Sequence, residues 1–140
     1  HGWIAPIDSD IPIPAGTKFA ISFDTAKSAE GKVNRTLDAA ARFINMHVRA
    51  GVPAENINLA VIVHSKAVFD VSRAKDGKPH ASINAVKALT VNNVRIIVCG
   101  QSAAYYGVSK ADLLPNVEME LSAMTAHALL QQQGYTLNPF

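Results

Sequence analysis

Two aliphatic runs constrain the fold of this chain more than any other feature: INLAVIV at Ile57–Val63, and Ile96-Ile97-Val98 within RIIVCGQSAAYY. A continuous β-branched run suits a strand covered on both faces, as the strands of a parallel sheet are. The second run leads straight into Cys99-Gly100-Gln101-Ser102, so the chain's only cysteine stands where a strand should end. In open α/β sheets, ligands bind outside the carboxyl ends of the strands. Gly100 lets the backbone turn without a Cβ, and Ser102 could cap a following helix. The stretch suits a thiol held at the mouth of a pocket.

The flanking segments alternate in kind. Phe19, Ile21 and Phe23 alternate with small residues in a strand over residues 17–24. Val33, Leu37, Ala40, Ala41, Ile44 and Val48 follow helical spacing over residues 33–50, with Asn34, Asp38, Arg42, Asn45 and Arg49 largely on the other face, and Gly51 and Pro53 stop that helix. After Ile57–Val63, residues 67–71 form a turn or short helix, and residues 72–79 a charged loop with a Lys-Asp-Gly-Lys turn. A helix over 80–89 follows, with an Asn92-Asn93 turn before the central strand. Beyond Cys99 come a short helix at 101–106 and another at 109–113, where Ser109 and Asp112 are spaced as a capping box. Pro115-Asn116 turns the chain into a strand at Val117–Glu120, and a helix over 122–133 closed by Gly134 and an edge strand at 135–137 complete the order. This βαβαβαβαβ order with short connections predicts a three-layer α/β/α sandwich around a mainly parallel sheet of about five strands.

Residues 1–16 contain three prolines and no helical period, and read as an extended arm with Trp3, Ile4, Ile7 and Ile11 as candidate anchors. Residues 17–140 read as one domain, which 140 residues suffice to fill with a full core. Net charge is +2 with the basic residues dispersed, which gives no nucleic-acid footprint. No apolar run approaches the ~18–20 residues of a membrane span. A single cysteine excludes an internal disulfide framework and a Cys-only zinc site. No GxGxxG follows the first strand and no Walker motif occurs, so no nucleotide cofactor is expected. The chain does not begin with Met. A mature chain with its leader removed would be periplasmic or exported, and the alternative is cytoplasmic.

Cys99 heads the candidate site residues. A free cysteine is often a packed small hydrophobe, but a helix N-terminus directly after it would stabilise a thiolate able to attack sulfur or carry a persulfide. His64 ends the neighbouring strand and could donate to that thiolate or move a proton. Lys66 could bind an anion. Gly100, Gln101 and Ser102 offer donors close to the sulfur; Tyr105 and Tyr106 read as packed, one inward and one at an interface, although the hydroxyl of either, Tyr106 included, could reach the pocket. His47 and His80 read as surface residues, and His127 as a satisfied core or interface histidine. The histidines share no i,i+4 or HExxH spacing, so no metal is expected.

VIVHSKAVFD together with VRIIVCGQSAAYYGVSKADLLPNVEMELSAMTAHALLQQQGY resembles the DsrE/DsrF-like (YchN-like) sulfur-relay family over about residues 18–135. The resemblance is closest to the branch of small, often exported members with HSKA-type and CGQS-type segments. It implies a five-stranded parallel-sheet domain that assembles into homotrimers or homohexamers. It also implies that Cys99 accepts a persulfide from a sulfur-donor protein and hands it to an acceptor's cysteine, without a redox cofactor. The leading expectation is a sulfur-carrier or sulfurtransferase-like protein. The alternative is a non-catalytic oligomeric module that binds a small anion or metabolite in the same pocket.

Overall fold

The computed structural model describes residues 1–74 and 80–140, so the Lys-Asp-Gly-Lys turn lies outside the described residues. Five strands, β1 (Phe19–Thr25), β2 (Ile57–Val63), β3 (Arg95–Cys99), β4 (Val117–Glu120) and β5 (Thr136–Leu137), form one sheet in the order β4-β3-β2-β1-β5. Every pairing is parallel, with Phe23 beside Val61, Val61 beside Ile96, and Cys99 beside Glu120. The mainly parallel sandwich expected from the aliphatic runs is therefore wholly parallel.

Side chains alternate across the sheet with period two, and this sorts the core into two unequal layers. Leu59, Val61 and Val63 of β2, with Ile96 and Val98 of β3, join Leu37 and Ala40 of α1 (Arg35–Arg49) and Val86 and Leu89 of α2 (Ile83–Val91) in the larger one. Ala103 of the short helix α3 (Gly100–Tyr105) belongs to the same layer. The other face, carrying Ala60, Ile62 and Ile97, is covered by Ala126 and Leu130 of a single helix, α4 (Ala123–Gln132). Burial on both faces is why the central strands need uninterrupted aliphatic sequence. It also leaves polar side chains to the strand ends.

The buried carboxylate of Asp70, in the 3-10 segment Ser65–Val71 that follows β2, ties the loops at the carboxyl edge together. It accepts hydrogen bonds from Ser28 Oγ (2.9 Å), the Ala29 N–H (2.9 Å) and Asn34 Nδ2 (2.7 Å). Asn34 caps α1, its Oδ1 accepting from the Thr36 N–H at 2.9 Å. A cap buried at 3 % exposure departs from the solvent-facing position that helical spacing suggested for Asn34.

His80 is also not on the surface, because its ring approaches Asp70 at 3.8 Å and is mostly buried. The helix expected from residue 80 instead begins at Ile83, with Ser82 at the N-cap position and its hydroxyl accepting from the Asn34 N–H at 3.2 Å. His47 is half-buried, stacked on Phe43 with ring centroids 3.9 Å apart.

Of the four candidate anchors in the arm, Ile4 is half-buried and the other three are not. Trp3, Ile7 and Ile11 are each at least 80 % exposed. The arm is held by Gly2, whose N–H donates to Asp38 Oδ1 (2.8 Å) and whose carbonyl accepts from Asn45 Nδ2 (2.8 Å) on α1. A Cβ at Gly2 would come within 2.7 Å of the α1 backbone at Ala41 and Arg42, so only glycine allows this approach. Backbone bonding, unlike apolar anchoring, leaves no trace in a hydropathy pattern.

Removing the Asp70 acceptor takes that partner from the half-buried Ser28 hydroxyl and Ala29 N–H and leaves Asn34 Nδ2 only its longer bonds to Thr25 and Lys27. Asp70→Ala is expected to destabilise the fold by about 2–4 kcal/mol in urea titration. Asp70→Asn, which presents an NH2 group to donors, should recover only part of that loss.

Candidate functional site

Strand parity decides which side chains meet at the carboxyl edge. Ser22 and Asp24 of β1, Ala60 and Ile62 of β2 with His64 beyond it, and Ile97 and Cys99 of β3 share one parity across the parallel register. That parity faces α4. The edge of the α4 layer thus gathers a carboxylate, an imidazole and a thiol whose positions in sequence span 75 residues, from Asp24 to Cys99.

Cys99 is the last residue of β3 and the N-cap of α3, and it is only 6 % exposed. The Ser102 N–H donates to its sulfur at 3.5 Å. Burial pushes the thiol up, but hydrogen bonds from the Ser102 hydroxyl and from the backbone N–H groups of Ser102, Ala123 and Gln101 more than offset this. The net effect holds the thiol below its ordinary value. The Ser102 hydroxyl is oriented for that role because its oxygen accepts from the Ser65 N–H at 2.9 Å, which leaves its proton for the sulfur. Ser65 holds its N–H there at a φ of 51°, a left-handed conformation that serine rarely adopts.

Gly100 is required by close approach. A Cβ there would lie 2.7 Å from the Glu120 carbonyl oxygen and 3.2 Å from that of Leu121. The start of α3 is thus pressed against the end of β4, and Gln101 Nε2 strengthens the junction by donating to the Leu121 carbonyl at 3.3 Å. Of the three expected beside the sulfur, Ser102 is hydrogen-bonded to it, while Gly100 and the Gln101 side chain meet the end of β4.

The other expected residues are placed differently. His64 turns its Nε2 to Asp24 Oδ1 (2.9 Å) and its Nδ1 to Ser65 Oγ (3.1 Å). Among the described residues no hydrogen bond joins His64 to Cys99, and its link to the sulfur runs through Ser65 and Ser102. Lys66 is exposed beside this turn. Tyr106 packs edge-on against Phe69 at 5.3 Å, which turns its ring into the larger core layer.

Two residues not singled out from sequence as site residues complete the arrangement. Asp24 accepts from His64 through Oδ1, and its Oδ2 lies 2.7 Å from His127 Nε2 on α4. The alternation of β1 could have exposed Asp24, because it stands at the same strand end and parity as His64. Nothing in the sequence pairs it with His127, which lies 103 residues away. Among the described residues no group of three or more His, Cys, Asp or Glu side chains could hold a metal ion.

A model of the DsrE/DsrF-like family matches residues 17–139. Among solved structures, the chain is similar to MTH1491 from Methanobacterium thermoautotrophicum, whose title calls it a protein of unknown function. The likeness has a TM-score of 0.68 and 19 % identity, covering 88 % of this chain and 100 % of that one. The chain is also similar to the ychN protein from E. coli, with a TM-score of 0.60 and 18 % identity over 89 % of this chain and 99 % of that one. At these identities the likeness establishes the fold. No curated protein matches the chain.

Two outcomes follow from the donors around the sulfur. A thiol below its ordinary value carries more thiolate at neutral pH than a free cysteine, so the pH profile of Cys99 alkylation by iodoacetamide should inflect below that of a free thiol. Ser102→Ala removes the hydroxyl donor and should move the inflection up, slowing alkylation at pH 7 about threefold to tenfold. Gly100→Ala should destabilise the fold by about 1–3 kcal/mol in urea, because the new methyl meets backbone that cannot rotate away.

Proposed function

The chain belongs to the DsrE/DsrF-like family, and from that premise we propose that it is a sulfur carrier in which Cys99 accepts and passes on a persulfide sulfur. The observation that carries this reading is the donor set on the sulfur, which favours thiolate in spite of burial. A structural cysteine packed as a small hydrophobe has no need of donors from Ser102, Ala123 and Gln101.

The chemistry is a sulfane transfer. The Cys99 thiolate attacks the outer sulfur of a donor persulfide, R–S–SH. An S–S bond forms to Cys99 Sγ, the donor's own S–S bond breaks, and R–S⁻ leaves to take up the proton released by the thiol. Sulfur oxidation states are exchanged between donor and carrier, so no external oxidant is consumed. Transfer to an acceptor thiol repeats the step with the Cys99 persulfide as donor. The N–H groups that favour the Cys99 thiolate also lower its basicity as a leaving group in this second step.

Donor and acceptor are thiol proteins in this reading, and the carrier works as a homo-oligomer. Exposed Tyr105, Leu121 and Met124 flank the segments that hold Cys99 and offer apolar surface for such contacts. The second reading, a module that binds a small anion or metabolite without transfer, is favoured by one observation: Cys99 is 6 % exposed.

Intact mass separates the two. After incubation with polysulfide, the parent should gain about 32 Da, one sulfur atom, removable by dithiothreitol, and Cys99→Ser should gain nothing. A folded parent that stays unmodified, or a Cys99→Ser variant that still gains the mass, would overturn the carrier reading.

A further inference from the structure

The donors on Cys99 hang on two separate elements. The Ser102 hydroxyl is aimed by the Ser65 N–H in the turn after β2, and the Ala123 N–H is the first of α4. Apolar packing of Ala126 and Leu130 seats α4 on the sheet, and Asp24 adds a polar tie between the start of that helix and the turn after β2. Its two carboxylate oxygens engage His64, adjacent to Ser65, and His127, one helical turn beyond Ala123 on the same face of α4. The two bonds, at 2.9 and 2.7 Å, are each directed to a different oxygen, so neither competes with the other. The His64 ring is further fixed by Ser65 Oγ at 3.1 Å.

We infer that Asp24 is a positioning residue for Cys99: by clamping His64 and His127 it sets the turn after β2 and the start of α4 at the spacing that aims their donors at the sulfur. The inference deepens the carrier reading and rests on Cys99 being a reactive thiol. Asp24 acts through Ser65–Ser102 on one side and through Ala123 on the other, without touching the reacting atoms. The titratable groups on the elements around the sulfur are Asp24 on β1, His64 and Lys66 after β2, Glu120 beside Cys99 on β4, and His127 on α4.

The sign of the effect distinguishes clamping from simple charge. Through space, deleting a carboxylate near a thiol favours thiolate and lowers its pKa. Losing the clamp instead withdraws donors from the sulfur and raises it. The test is the pH profile of Cys99 alkylation by iodoacetamide in Asp24→Ala, His127→Ala and His127→Gln.

Asp24→Ala and His127→Ala should both move the inflection up, with alkylation at pH 7 slower about threefold to tenfold relative to the high-pH plateau. His127→Gln keeps an N–H donor near the Nε2 position and should retain the parent profile. An unmoved or lowered inflection in the folded alanine variants overturns the clamp, as does a Gln variant that behaves like Ala.

The plateau rate itself reports folding, because an unfolded chain exposes the sulfur and alkylates faster at high pH. Should Asp24→Ala unfold, the His127 pair carries the test alone, since it removes one bond from a helix surface and leaves the sheet intact. Alkylation is independent of sulfur transfer. If the inflection moves but the parent takes up no sulfane sulfur, the clamp stands and the carrier reading falls. If sulfur loads but the inflection does not move, the clamp falls and the carrier reading stands.

Discussion

The carboxylate of Asp70 is the interaction on which the carboxyl edge of this sheet depends. A buried charge is costly unless each oxygen is satisfied, and here the satisfying donors come from Ser28, Ala29 and Asn34. Those donors belong to the loop after β1 and to the cap of α1, while Asp70 itself belongs to the segment after β2. One side chain thereby fixes the exits of two adjacent strands. Once they are fixed, Asp24 and His64 emerge beside each other. The chemistry at Cys99 is assembled beside loops that a second, largely buried polar cluster holds in place.

The two faces of the sheet are built for different tasks. The face covered by α1, α2 and α3 carries the larger aliphatic core, and Tyr106 is drawn against it. The opposite face is covered by α4 alone, and its apolar layer is small. Beyond that layer, at the carboxyl edge, the side chains that share its parity are polar: Asp24, His64 and Cys99. Polar groups there are only partly shielded, which keeps the imidazoles and the carboxylate accessible to solvent exchange while the thiol lies below them, almost covered.

Much of this was legible in the residues. The aliphatic runs announced parallel strands, the Asn92-Asn93 and Pro115-Asn116 turns fall where Asn93 and Asn116 adopt left-handed φ values of 59° and 66°, and Ser109 and Asp112 form the capping box that their spacing suggested. The closeness of Ser102 to the sulfur was legible because it is local, one turn of helix from Cys99. His80 and Asn34 were misplaced for the opposite reason. Both are polar residues at the margin of an amphipathic pattern, where hydropathy assigns solvent, and both are buried by a distant carboxylate. Asp24 went unmarked because a charged residue ending a strand ordinarily marks a loop.

The sequence by itself determined the order of elements, the parallel character of the sheet and the position of the thiol at a strand end. These depend on periodicity and on neighbours close along the chain. The resemblance carried by the HSKA and CGQS segments placed it in the family that the match over residues 17–139 then showed. Only the tertiary structure decided which donors reach the sulfur, that His64 faces Asp24 and not Cys99, and that His127 closes the arrangement. The physical reason is that hydrogen bonds between side chains depend on strand register and on where α4 lies across the sheet. Those are properties of the packed whole, and no spacing along the chain encodes a contact between residues 24 and 127.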